Sequence, residues 1–294
     1  MVGGAVRDLV LGITHTDVDI CTSALPAEIM AVAQAQGWKT EAVGAAFGSI
    51  MVIANGKPYD VTTFRREEYG EDSHRPSKVE FGAALEEDLA RRDFTINTLC
   101  IDVNGDLIDL FGGLNDLRLG IIRAVGNPHV RFDEDALRMF RAARFAAQFG
   151  FSLDKAIFPA VTANLHRVRG LSVERVRNEL EKTLLAKFAS RGLNILLTSG
   201  LLNEECRVRD AHTEGHAVIL PELGHLYQLH QNPKYHHLDA WRHVLSCVDN
   251  IPANLTLRWA ALLHDIGKGT AGVRSYSADG QPTDHGHDKV GAEM

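Results

Sequence analysis

Two dipeptides, Asn55-Gly56 and Asn104-Gly105, do most to restrict what this chain can fold into. Asn-Gly is favoured in two-residue hairpin turns, where both central residues take positive φ. The first would join β-rich runs at 49–54 and 58–64, and the second would join 99–103 to 107–110. Pro26 and Gly37 bracket a predicted helix over 27–36. Residues 65–78 read RREEYGEDSHRPSK, a charged and turn-rich run that predicts a mobile loop, followed by a helical segment at 85–89. From about Asp133 onward the apolar spacing turns helical, and no further strand pair is expected. Residues 1–111 therefore read as an α/β head with a mostly antiparallel sheet, and the remainder as helices. With 294 residues the chain has room for two or three domains.

The head opens on Gly3-Gly4 and Arg7, followed by Asp17-Val18-Asp19. A glycine pair lets backbone N–H groups approach a phosphate, and an arginine is a natural phosphate partner. Two carboxylates one residue apart on a strand project from one face, roughly 6–7 Å apart. They repel unless a hard divalent cation lies between them, and Mg²⁺ fills its octahedron with water and substrate phosphates. Asp-x-Asp is also common in surface turns, so the metal reading draws on the glycine pair and Arg7 as well. Asp60, between residues that suit a core, is costly to bury without a partner, either an arginine or a shared metal.

Composition excludes some classes. The chain has no run of eighteen apolar residues, so no membrane span is expected. Its N-terminus lacks the apolar core of a signal peptide, and a cytoplasmic location is expected. Cys21, Cys100, Cys206 and Cys247 form no Cys-x-x-Cys pair, which predicts reduced thiols. The net charge of −7 argues against a nucleic-acid partner only on average, since residues 138–191 hold eleven Lys/Arg against four Asp/Glu. Such a basic stretch can follow a phosphate backbone, or be a solvated helix face.

GGAVRD followed by DVDICT resembles the start of the class II tRNA nucleotidyltransferases, the family of CCA-adding enzymes and bacterial poly(A) polymerases. Three further stretches occur in family order. Arg91-Arg92-Asp93-Phe94-Thr95-Ile96-Asn97 is similar to the RRDFTIN motif, Glu134-Asp135-Ala136-Leu137-Arg138 to the EDxxR motif, and residues 171–182 to the neck. The resemblance implies an α+β fold: a polymerase-beta-like head with a mostly antiparallel sheet, an all-α neck and an HD-type helical domain. The corresponding domains are 1–127, 128–202 and 203–294. It implies that Asp17 and Asp19 hold Mg²⁺ with Asp60 assisting. Nucleotide contacts are implied for Gly3, Gly4, Arg7, Arg92, Asp93, Asn97, Asp135, Arg138, Arg141 and Arg144.

Asp135 and Arg138, three apart on one expected helix, would share a face that Arg141 and Arg144 continue. Cytosine and adenine both present an exocyclic amine beside an unprotonated ring nitrogen. A carboxylate accepts from the amine while a guanidinium donates to the ring nitrogen, so such a pair admits CTP and ATP and rejects UTP and GTP. An ordinary intrahelical ion pair is the plainer alternative. In the neck, Ser172 is the expected N-cap, with Arg175 and Lys182 available to a tRNA backbone.

Ten of the fourteen histidines lie between His212 and His287. His243, His264-Asp265 and His287 resemble an HD-type phosphohydrolase module, whose imidazole and carboxylate ligands suit a transition metal. The resemblance further implies a helix and a strand before the glycine pair, and another aspartate after Met294. The expected activity is addition of CCA from CTP and ATP to the 3′ end of tRNA. Poly(A) polymerase, A-only or CC-only addition, an HD phosphohydrolase with an inert head, and a non-catalytic RNA-binding protein are the alternatives.

Overall fold

The computed structural model describes residues 1–14, 18–69, 76–209 and 214–294. It divides into two compact units: Met1–Asp135 with Leu153–Ile157, and Ala136–Ser152 with Phe158–Met294. Among the described residues no helix is long and apolar enough to cross a membrane.

The first unit begins with helix α1 (Gly4–Val10) and is built on strands β1 (Asp19–Thr22), β2 (Lys39–Glu41), β3 (Ser49–Ala54) and β4 (Lys57–Thr63). Their order is β1-β4-β3-β2, with β1 parallel to β4 and the other pairs antiparallel. Asn55 and Gly56 take φ of 52° and 76°, as the hairpin between β3 and β4 requires. Helix α2 (Pro26–Ala35) packs Ile29 and Ala33 onto Ile50 and Val52 of β3. A second cluster joins Val2, Leu89 and Cys100 to Cys21, Leu85 and Ile108. It ties β1 to helix α3 (Leu85–Ala90) and to the short hairpin β7 (Cys100–Ile101) and β8 (Leu107–Ile108).

The charged stretch after residue 64 departs from the expected loop. Arg65–Tyr69 (β5) and Pro76–Phe81 (β6) pair as an antiparallel hairpin, while residues 70–75 lie outside the described chain. Its charges are satisfied locally: Arg65 and Arg91 both hold Glu67, at 2.7 and 3.0 Å, and Lys78 pairs with Glu80. Charge alternation along a ribbon resembles a polar loop in composition, which is why the pattern misled.

Helices α4 (Gly113–Leu119) and α5 (Pro128–Glu134) complete the first unit. Asn127 caps α5 by accepting from the His129 N–H at 3.0 Å. The second unit contains α6 (Leu137–Phe149), α7 (Ile157–Asn164, entering from the boundary), α8 (Val173–Leu184), α9 (Ala189–Thr198), α10 (Ala240–Asn250), α11 (Leu255–Leu263) and α12 (His287–Glu293). Phe140, Leu184, Leu193 and Trp241 are buried in its core. α6, α8 and α9 meet so closely at Gly192 that a Cβ there would stand 2.6 Å from Thr183 and 2.8 Å from the Ala143 carbonyl. Buried Arg258 donates to the carbonyls of Leu184 and Ile251, at 3.1 and 2.9 Å, and so joins α11 to the end of α8.

Strands do recur after residue 133, contrary to expectation. Glu205–Arg209 pairs antiparallel with Glu214–Val218, and Ser275–Tyr276 with Pro282–Thr283. Glu205–Arg209 alternates polar and apolar residues, but neither its partner Glu214–Val218 nor the two-residue strands of the second ribbon repeat that alternation.

Candidate functional site

In the first unit the decisive contact is between two strands. Asp19 opens β1 and its register partner on β4 is Asp60. Strand alternation puts both on one face, while Ile20, Tyr59 and Val61 line an apolar cavity of about 560 Å³ on the other. Adjacent strands lie about 4.8 Å apart, and like charges side by side are destabilising without a counter-ion. Both aspartates are exposed, so the burial cost expected of Asp60 does not arise. A hard cation suits two exposed carboxylates so placed. Asp17 lies outside the described residues.

The glycine pair does more than leave room for a ligand. The Gly3 N–H donates to the Leu99 carbonyl at 3.0 Å, and its φ of 73° favours glycine. A Cβ at Gly3 would lie 2.7 Å from Arg92 Nη1, so the missing side chain is where the Arg92 guanidinium rests. Gly4 is the first residue of α1. Arg7 is buried and bonded within the protein: Nη1 donates to Asn97 Oδ1 at 2.6 Å and Nε to Asp8 at 2.8 Å. Asn97 Nδ2 donates to Asp93 Oδ1 at 2.9 Å, and the same oxygen accepts from the Phe94 N–H. Arg7, Asp93 and Asn97 thus form one buried chain of hydrogen bonds beneath Arg92. Sequence reasoning missed Asp88, which is 1% exposed and lies 2.7 Å from Arg91 and 3.8 Å from Arg92. Its signal was the i+3 and i+4 spacing to the two arginines.

Asp135 and Arg138 do not share a helix. α5 ends at Glu134, Asp135 is extended (φ −146°, ψ 103°), and α6 begins only at Leu137. The break also coincides with the division between the two units. Arg138 is buried in the first turn of α6. Arg141 and Arg144 lie over the Phe145 ring at 5.3 and 4.0 Å, and Arg144 Nε bonds Glu179 of α8 at 2.5 Å. Ser172 occupies the N-cap position of α8 without a side-chain cap bond.

The second unit gathers His243, His264, Asp265 and His287. Asn254 caps α11, which ends so that His264 and Asp265 follow it directly. A Cβ at Gly267 would stand 2.1 Å from the His287 carbonyl, so glycine there lets α12 approach the His264-Asp265 turn. His264 Nε2 lies 3.4 Å from His243 Nε2 and 3.3 Å from Asp265 Oδ2, and His287 Nε2 lies 3.3 Å from Asp265 Oδ1. Nδ1 of His264 bonds the Ala261 carbonyl at 2.8 Å, and Nδ1 of His287 that of Asp284 at 2.7 Å. A carbonyl only accepts, so each Nδ1 carries a proton, and each Nε2 faces the carboxylate, as a donor when its ring is protonated and as a metal ligand when it is neutral.

The hydrogen bond to Asp265 holds the His264 imidazole above its usual range, and a bound cation would take the place of that proton. Burial pushes Asp265 upward, but hydrogen bonds from His264 and Lys268 outweigh it and hold the carboxyl well below the usual range. Burial pushes His243 down, toward the neutral form that ligates metals. The donor set fits a divalent transition ion. Beside it Gln231, His236, Lys268, Asp284, His285 and His287 border a cavity of about 310 Å³.

Three family models match the chain in order. Residues 1–123 match the poly A polymerase head domain, residues 150–204 the probable RNA and SrmB-binding site of polymerase A, and residues 234–294 the HD domain. The chain belongs to the tRNA nucleotidyltransferase and poly(A) polymerase family. Within that family it is 48% identical over 200 residues to the CCA-adding enzyme of Ligilactobacillus salivarius, covering 68% of this chain and 48% of the relative. It is 41% identical over 245 residues to that of Leuconostoc mesenteroides, covering 83% and 58%. The solved Bacillus stearothermophilus CCA-adding enzyme in complex with CTP matches at a TM-score of 0.62 and 46% identity, over 68% of this chain and 47% of that one. The chain spans about half the length of the curated relatives it matches.

Proposed function

We propose that this chain carries out template-independent addition of CCA to the 3′ end of tRNA in the cytoplasm, using CTP and ATP. The observation that carries the reading is the pairing of Asp19 with Asp60, in a chain 46% identical over 68% of its length to an enzyme solved with CTP. Asp17 and Asp19, with Asp60, would hold Mg²⁺, which when bound supplies charge stabilisation for nucleotidyl transfer. Gly3 and Gly4 leave the approach open, and the Arg92 guanidinium offers forked donors to phosphate or ribose oxygens. Arg7, Asp93 and Asn97 hold that arginine's surroundings in one geometry rather than meeting the nucleotide themselves. Asp135 and Arg138 read the base by complementarity to its amine and ring nitrogen, and Arg141 serves the phosphates. The neck helix α8 meets the tRNA backbone through Arg175 and Lys182.

The test incubates the full chain with tRNAs ending at the discriminator base, at C and at CC, with each triphosphate separately. CTP should be used on the first two and ATP on the third. ATP incorporation alone on every end would make the chain a poly(A) polymerase, and ATP incorporation on the CC end with no use of CTP would make it an A-adding enzyme.

A second reading concerns the other unit, and the convergence of His264 Nε2 and His287 Nε2 on Asp265 favours it. His243, His264, Asp265 and His287 would hold a transition metal, which when bound supplies Lewis acidity for phosphate ester hydrolysis. Lys268 and His236, on the adjoining cavity, would meet the phosphate.

A further inference from the structure

Helix α10 brings a sulfur into the same cluster. His243 and Cys247 are four residues apart and share a helix face, and Cys247 Sγ lies 3.7 Å from His243 Nε2. His264 Nε2 stands 3.4 Å from that same nitrogen. The three ligand atoms all lie within 4.8 Å of one another, the one such group among the described residues. A tetrahedral ion with M–N about 2.0–2.1 Å and M–S about 2.3 Å has an N···N edge of about 3.4 Å and an N···S edge of about 3.6 Å. The two measured edges agree with those values.

Two positions therefore compete for the same histidines. On one side stands Asp265, whose Oδ2 already has the Lys268 ammonium at 2.8 Å, and which has His287 beyond it. On the other side stands Cys247, a free and half-buried thiol. We propose that Cys247 is a ligand of the ion held by the second unit, so that His243, Cys247 and His264 form one face of a tetrahedral site for a thiophilic divalent metal of the zinc class. On binding, the S–H bond is replaced by an S–metal bond and the proton leaves to solvent, with no change of oxidation state. A soft thiolate excludes Mg²⁺ and separates this site in kind from the all-carboxylate pair of the head. Lys268 remains the partner of Asp265, leaving the fourth metal position to water or a phosphate oxygen. The inference rests on the reading that the second unit holds a transition metal.

Cobalt serves as the probe, because Co²⁺ replaces Zn²⁺ and a thiolate ligand to it gives an intense near-ultraviolet charge-transfer band. The metal-free full chain, kept reduced without added thiols, is titrated with Co²⁺. The expected result is that band, saturating at one equivalent together with the visible bands of tetrahedral cobalt. Cys21→Ser should retain it and Cys247→Ser should lose it. Zinc affinity in Cys247→Ser should fall by more than about a hundredfold, beyond the loss that second-shell changes cause. Cobalt binding with no charge-transfer band, and equal zinc affinity in parent and Cys247→Ser, would overturn the inference and leave the metal with His243, His264, Asp265 and His287. No cobalt binding at all would overturn both. Should Cys247→Ser fail to fold, the band in the parent and in Cys21→Ser decides the question alone.

Discussion

In the first unit the carboxylates of Asp19 and Asp60 stand exposed on neighbouring strands, whereas in the second the Asp265 carboxylate is 2% exposed and ringed by His264, Lys268 and His287. The head keeps its arginines occupied beneath the surface, with Asp88 holding Arg91 and Asn97 holding Arg7. What it presents outward is a pair of carboxylates suited to a hard ion. The histidine cluster is the reverse: the Nδ1–H groups of His264 and His287 are turned outward to carbonyls and their Nε2 atoms inward. Sheet register alone sets two exposed carboxylates side by side. A site of softer donors needs hydrogen bonds behind each ring to fix the tautomer.

The strongest way to break this comparison is to remove one of the exposed carboxylates. Asp19→Ala should abolish nucleotide incorporation, to below about a thousandth of the parent rate, and leave tRNA binding nearly unchanged. Single-turnover incorporation and a tRNA filter-binding curve measure both. Retention of a tenth of the rate would place the metal elsewhere.

Next in size is an ion pair that sorts one arginine between the two roles. Arg144 is bonded to Glu179, so Glu179→Ala should remove the Nε partner of a partly buried guanidinium that keeps Gln148, and cost about 1–3 kcal/mol of stability. Denaturant unfolding measures the loss. If Arg144 is structural, the KM for CTP should stay at the parent value in the folded variant. A tenfold rise in KM would return Arg144 to the phosphates.

Base selection comes third. Arg138→Ala should leave the ring nitrogen of cytosine without its donor and lower the CTP over UTP ratio of kcat/KM by about ten- to a hundredfold. The observed helix break sharpens this test, since Asp135 and Arg138 are not a simple i, i+3 pair. An unchanged ratio in a folded variant would mean that Arg138 is a core residue of α6.

The smallest effect is expected at Gly3. Gly3→Ala forces a positive φ on a Cβ-bearing residue, costing about 1–2 kcal/mol, and drives the new methyl into Arg92. Thermal unfolding should register the first part and a raised KM for CTP the second. A thermal loss without a change in KM would confine Gly3 to a backbone role.

By itself the sequence determined the local elements whose cause is local. Asn55-Gly56 set the β3–β4 turn because the turn type demands positive φ, and Pro26 and Gly37 bracket α2 for similarly short-range reasons. The His264-Asp265 motif and its partners at His243 and His287 were also legible from spacing. Tertiary structure alone decided what depends on neighbours distant in the chain. It set Asp19 beside Asp60 across forty-one positions, because strand register is fixed by the whole sheet. It broke the helix after Glu134, turning a single expected face into two elements. It folded the charged run after residue 64 into a ribbon, because Glu67 found Arg91 there. And it set Cys247 against two imidazoles, one of them in the turn after α11, a convergence of ligand atoms that no spacing rule for paired cysteines could express.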